Sequence, residues 1–94
     1  MSEERRTVRV RVFGMVQGVY FRGWTKAEAE RLVLNGWVRN EDDGSVAAVL
    51  SGTPPSVEEM LVLLHRGPPA ARVDRVDVED IGLAAPILGF GIRR

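Results

Sequence analysis

The sequence predicts an α+β fold, an antiparallel sheet with two helices on one face, and three observations predict it. Apolar and polar residues alternate in 7–14 and again in 72–81. Apolar residues recur at spacings of three and four from Phe21 to Leu32, and a second helical pattern follows Ser56. Between these stretches an Asp-Gly turn joins two β-rich runs. The resulting order is strand, helix, strand, strand, helix, strand, with a short extra strand at the end. That is the split β-α-β order of a ferredoxin-like sandwich. Because this fold hosts many activities, function has to be sought in particular residues.

Each element has a local reason. Residues 7–14 read TVRVRVFG, where Val8, Val10 and Val12 alternate with Arg9 and Arg11, the period of a strand with one buried face. Residues 14–20 form an apolar loop punctuated by Gly14 and Gly18. From Phe21 the period changes: Phe21, Thr25, Ala29 and Leu32 share one face of a helix, with Glu28, Glu30 and Arg31 largely on the other. Asn35-Gly36 is its expected left-handed stop. Residues 36–41 and 45–51 are strands, and Asp42-Asp43-Gly44 is the hairpin turn between them. If Trp37 faces the helices, Asn40 has the opposite parity and faces the other side of the sheet. Ser56 with Glu59 reads as a capping box that opens the second helix through Met60, Leu61, Leu63 and Leu64 to Arg66. Gly67-Pro68-Pro69 ends it. Residues 72–81 make a longer strand, 82–86 a loop, and 87–92 a short last strand where Phe90 and Ile92 share a face.

Size and composition bound the function. The chain has 94 residues and a mass of 10.4 kDa, which suits one domain spanning 7–94 behind a flexible tail of residues 1–6. With 45% apolar and 28% charged residues, the composition is that of a folded soluble domain. The longest unbroken apolar runs, 46–50 and 60–64, fall far short of the about 20 residues of a membrane-spanning helix. The charged start, MSEERR, has no apolar stretch behind it, so no secretory signal is expected. There is no cysteine, which excludes disulfides, thiolate metal sites and a cysteine nucleophile and fits a reducing cytoplasm. The single histidine, His65, cannot build a multi-histidine metal site and suits the end of the second helix. Thirteen basic residues, all arginine except Lys26, balance thirteen acidic ones, so broad electrostatic binding to nucleic acid or an anionic membrane is not expected.

Two segments carry the chemistry. Gly14-Met15-Val16-Gln17-Gly18-Val19-Tyr20-Phe21-Arg22 joins a strand to a helix. Backbone N–H groups in a tight glycine-bearing loop converge on an anion, and the first helical turn adds unpaired donors. Arg22 in that turn opposes the helix dipole, so stability alone does not account for it. A guanidinium fork beside such a loop suits a phosphoryl group; the plain alternative is a glycine turn with a surface arginine. The Gly-Lys-Ser/Thr ending of a Walker loop is missing. In the second segment, 36–46, Asn40 occupies a strand position where asparagine is depleted. Its amide has an acceptor for water and a donor for a phosphoryl oxygen; the plain alternative is that Asn40 simply initiates the hairpin turn. Asp42 and Asp43 read as turn residues, Trp24 and Trp37 as packing residues.

These segments resemble the two signatures of the acylphosphatase family. GMVQGVYFR at 14–22 is similar to Gly-x-Val-Gln-Gly-Val-x-Phe/Tyr-Arg. GWVRNEDDGSVAAVLSG at 36–52 is similar to Gly-Trp/Phe/Tyr-Val-x-Asn-x-x-x-Gly-x-Val with a later glycine. Met15 stands at a variable position, Val33 replaces a common glycine, and Glu41 stands where some members have threonine. The resemblance implies hydrolysis of acyl phosphates to carboxylate and inorganic phosphate, with no metal or other cofactor. It implies that Arg22 and the backbone N–H groups of Met15, Val16, Gln17, Gly18, Val19 and Tyr20 hold the phosphoryl group, and that Asn40 positions the attacking water. The implied partners are a small acyl phosphate and inorganic phosphate as product and competing ligand. A cytoplasmic monomer without nucleic-acid or membrane partners is expected. The alternative is a non-catalytic phosphate-binding or regulatory module, which would keep the loop but have no use for Asn40. An RNA-binding reading of the same topology lacks its stacking aromatics, since 45–51 reads SVAAVLS.

Overall fold

The computed structural model describes residues 4–82 and 87–94. Strand β1 (Arg6–Met15) leads to helix α1 (Phe21–Arg31), then β2 (Asn35–Asn40), β3 (Val46–Gly52), helix α2 (Pro54–Arg66), β4 (Arg72–Asp80) and β5 (Phe90–Arg93). The sheet order is β4-β1-β3-β2-β5. The pairs β1–β3, β1–β4 and β2–β3 are antiparallel, as expected. The sheet as a whole is mixed, because β5 lies at the far edge from β4 and runs parallel to β2.

Register assigns the two faces. Val10 lies opposite Ala48, Ala48 opposite Val38, and Val38 opposite Ile92. Directly opposed residues share a face, and this face meets the helices. Val8, Val10, Val12, Val38 and Leu50 form one core with Phe21, Ala29, Met60 and Leu64. On the other face, Ala47 sits in register between Arg11 and Arg39, and Val49 between Arg9 and Trp37. Both small residues are buried there, beneath long side chains whose stems cover apolar surface.

Several expectations are corrected. Trp37 faces away from the helices, flanked by the guanidinium groups of Arg39 at 4.9 Å and Arg93 at 4.8 Å from its ring centre. A tryptophan that stacks on cations does not need the core. Asn40, opposite Val46, therefore lies on the helix side, the reverse of the orientation inferred from a core-facing Trp37. Helix α1 ends at Arg31 with Leu32 as its C-cap, and the left-handed residue that follows is Val33 at φ 58. Asn35-Gly36, expected as the stop, already belongs to β2. The expected capping box does not form: Thr53 is the N-cap, Pro54 and Pro55 open the helix, and Ser56 lies inside its first turn. Proline suits the first helical position because that N–H has no intrahelical partner. Gly67, at φ 72, closes α2 as expected. The last strand begins at Phe90, three residues later than expected, and the expected loop lies mostly outside the described residues. Arg6 already belongs to β1, held by Asp80 and Glu58, each at 2.9 Å.

Where β1 meets β4 the register shifts between Phe13 and Gly14, leaving Asp74 as the extra residue. A Cβ on Gly14 would lie 2.2 Å from the Arg72 carbonyl oxygen, so only glycine allows this approach. The bulge is on β4, opposite the stretch of β1 just upstream of the loop that leads to α1, and the strand that carries the extra residue bends there.

Candidate active site

Residues 16–20 connect β1 to α1. Val16 is buried and Val19 packs against the core, which fixes the loop at two points. Gly18 at φ 75 and Tyr20 at φ 64 reverse its local twist. Among the described residues, the backbone N–H groups of Val16 through Tyr20 donate to no protein acceptor. The N-cap of α1 is Tyr20, whose side chain makes no capping hydrogen bond, and the first turn has no acidic residue. A Ser or Asp at this position would use one of the free donors at the helix start. The loop and the helix start together present N–H groups and a positive dipole end. Met15, expected in the loop, is the last residue of β1, in register with Arg72.

Arg22 and Asn40 line one cleft of about 450 Å³, with Val16, Gly18 and Tyr20 of the loop and Ile92 of β5. Arg22 is carried by the first turn of α1 and Asn40 by the end of β2 on the helix side. Arg6, Arg9, Arg11, Arg31, Arg39, Arg72 and Arg75 each face a carboxylate. Arg22 faces none among the described residues. The other cation of the cleft, Lys26, is paired with Glu30 at 2.9 Å. The cleft therefore combines one free guanidinium, a row of free N–H groups and one amide side chain.

A second layer holds these parts in place. The Gln17 side chain donates to the carbonyl oxygens of Glu41 and Ser45, each at 2.8 Å. It ties the loop to the turn that follows Asn40. Glu41 turns to the opposite sheet face, where its carboxylate accepts from Arg11 at 2.8 Å and from Arg39. The turn itself closes through the Glu41 N–H to Ser45 and the Gly44 N–H to Glu41. Asp43 accepts from both the backbone N–H and the hydroxyl of Ser45. The Ser45 hydroxyl bond, followed by its backbone bond, holds the Asp43 carboxyl below the usual carboxylate range.

A family model described as Acylphosphatase matches residues 8–92. The acylphosphatase of Rhizobium meliloti (strain 1021) is 50% identical over 94 residues, covering 100% of this chain and 99% of that protein. The chain belongs to the acylphosphatase family. The acylphosphatase of Rubrobacter xylanophilus is 47% identical over 95 residues, covering 99% of this chain and 86% of that one. Among solved structures, an acylphosphatase from Coxiella burnetii matches with a TM-score of 0.89 at 37% identity, over 95% of this chain and 93% of the other. That from Bacillus subtilis matches at 0.91 and 30%, over 95% and 99%. Acylphosphatase activity follows from this membership.

The remaining candidates lie elsewhere in this acylphosphatase. His65 bonds the Leu61 carbonyl oxygen through Nδ1 at 2.8 Å, in the last turn of α2. Trp24 packs edge-on to Phe21, with ring centres 5.5 Å apart, and lines a different groove with Pro68 and Pro69. Sequence reasoning assigned the backbone of Gln17 but missed its side chain, whose partners lie 24 and 28 residues away. The opposite parity of Glu41 and Asn40 was the available signal that Glu41 leaves the cleft.

Proposed function

We propose that this acylphosphatase holds the phosphoryl group of a small acyl phosphate with Arg22 and the N–H groups of residues 15–20, and directs a water at phosphorus with Asn40. The water oxygen bonds to phosphorus as the bond to the acyl oxygen breaks. The electron pair leaves on the carboxylate, and the water's proton passes to a phosphoryl oxygen. The products are a carboxylate and inorganic phosphate, which competes for the same donors. A carboxylate leaving group, whose acid has a pKa of roughly 4, needs little help from a general acid. Phosphoryl transfer through a loose transition state depends on positioning and charge stabilisation. A cleft with a guanidinium, free N–H groups and an amide supplies both.

The observation that carries this reading is the meeting of unpaired Arg22 and Asn40 in one cleft. A phosphate-sensing module would need the first and not the second. We infer further that the enzyme acts as a cytoplasmic monomer on small molecules, without nucleic acid. Balanced charge and a cysteine-free sequence support this, as does the charged, bulged outer strand β4.

The test is release of benzoate from benzoyl phosphate in EDTA. The wild type should turn over, Arg22→Ala should lose both turnover and phosphate inhibition, and Asn40→Ala should lose turnover by at least about a hundredfold. In Asn40→Ala, binding of inorganic phosphate should persist. Near-normal turnover by the Asn40 variant would remove the water-positioning role.

A further inference from the structure

Two unfavourable local choices in the structure serve the same ring. Tyr20 adopts the left-handed conformation at φ 64, which an L residue enters at a cost of about 1–2 kcal/mol. The residue is 77% exposed, so burial does not repay that cost. Three residues later, Gly23 occupies the first turn of α1, where alanine would favour the helix by about 1 kcal/mol. A Cβ at Gly23 would lie 2.3 Å from two carbons of the Tyr20 ring. Glycine leaves room for the ring to lie flat across the helix start.

Tyr20, Gly23 and Ala27 line the cleft already described, and Ile92 of β5 lines the same space. At about 450 Å³ the cleft is in the range that encloses a whole organic ligand. A phosphoryl group alone does not fill it. The charged residues at this end, Lys26 and Glu30, neutralise one another, so the wall prefers neither sign of charge.

The geometry points to Tyr20, supported by Gly23, as the determinant of acyl-group specificity: its ring is a platform for a planar, apolar acyl group. This rests on reading the cleft as the acyl phosphate site. Flat apolar groups stack on such a ring, whereas an acetyl group is too small to cover it.

The experiment compares kcat/KM for benzoyl phosphate and acetyl phosphate in the wild type, Tyr20→Phe, Tyr20→Ala and Gly23→Ala. The ratio of benzoyl to acetyl should fall about tenfold in Tyr20→Ala, the size of one lost apolar contact. It should fall similarly in Gly23→Ala, where the ring is present but displaced, and stay at the wild-type value in Tyr20→Phe. Thermal melts should show Gly23→Ala folded. An unchanged ratio in both alanine variants would overturn the platform, as would equal losses on the two substrates. If the wild type hydrolyses neither, the acylphosphatase reading fails first and the platform with it.

Discussion

Val33 stands in the left-handed region at φ 58, and its side chain is 83% exposed. A β-branched residue is strained there, and no burial offsets the strain. Val33→Gly should therefore stabilise the fold by about 1 kcal/mol and raise the melting temperature by about 5 °C. A differential scanning melt of the two proteins measures it, and a lower midpoint for the glycine variant would contradict the strain argument. Arg22 and Asn40 were legible in the sequence for a related reason, since each contradicts its local setting: a cation at a helix start, an amide in a strand. Gln17 and Tyr20 were legible only as loop backbone. What their side chains do depends on the Glu41 and Ser45 carbonyls and on the absent Cβ of Gly23. No periodicity encodes such contacts.

The hairpin turn after β2 is the element that sets Asn40, and Asp43 holds it closed. Its carboxyl titrates below the ordinary value because the Ser45 hydroxyl and then the Ser45 N–H donate to the ionised form. A folded pKa below the unfolded one adds stability that is complete above about pH 4, the ordinary carboxylate value. That stability is lost as pH falls through the folded-state pKa. Asp43→Asn should thus be less stable than the wild type at pH 7, with the gap closing toward pH 2. Urea midpoints across that range would show it, and a gap that widens on acidification would reverse the sign. The elements themselves were read from alternation and helical spacing, and all of them exist. The differences in extent fall at their ends. The expected capping box of Ser56 and Glu59 puts the helix start at Ser56, yet proline fits a first helical turn, so α2 starts before it at Pro54. The face of Trp37 was misjudged because an aromatic ring can be satisfied by flanking guanidinium groups as well as by a core.

At the scale of the whole molecule, the sheet's two edges differ. Strand β4 is long, carries charge at most positions and is bulged at Asp74, so it offers a poor template for another chain. Strand β5 has four residues and is joined to the sheet only through β2. Short edge strands open at lower free energy than the sheet centre. Trp37 is flanked by Arg39 of its own strand and Arg93 of β5, so one of its two guanidinium contacts leaves when β5 detaches. The protein thereby contains an optical gauge of its own edge. With Trp24→Phe leaving Trp37 as the single emitter, fluorescence should change at lower urea than far-ultraviolet circular dichroism. Superimposable curves would mean that β5 melts only with the whole sheet. Ile92 of the same strand borders the cleft that holds Arg22 and Asn40, so the colour of one tryptophan on the far face of the sheet would report whether that cleft is intact.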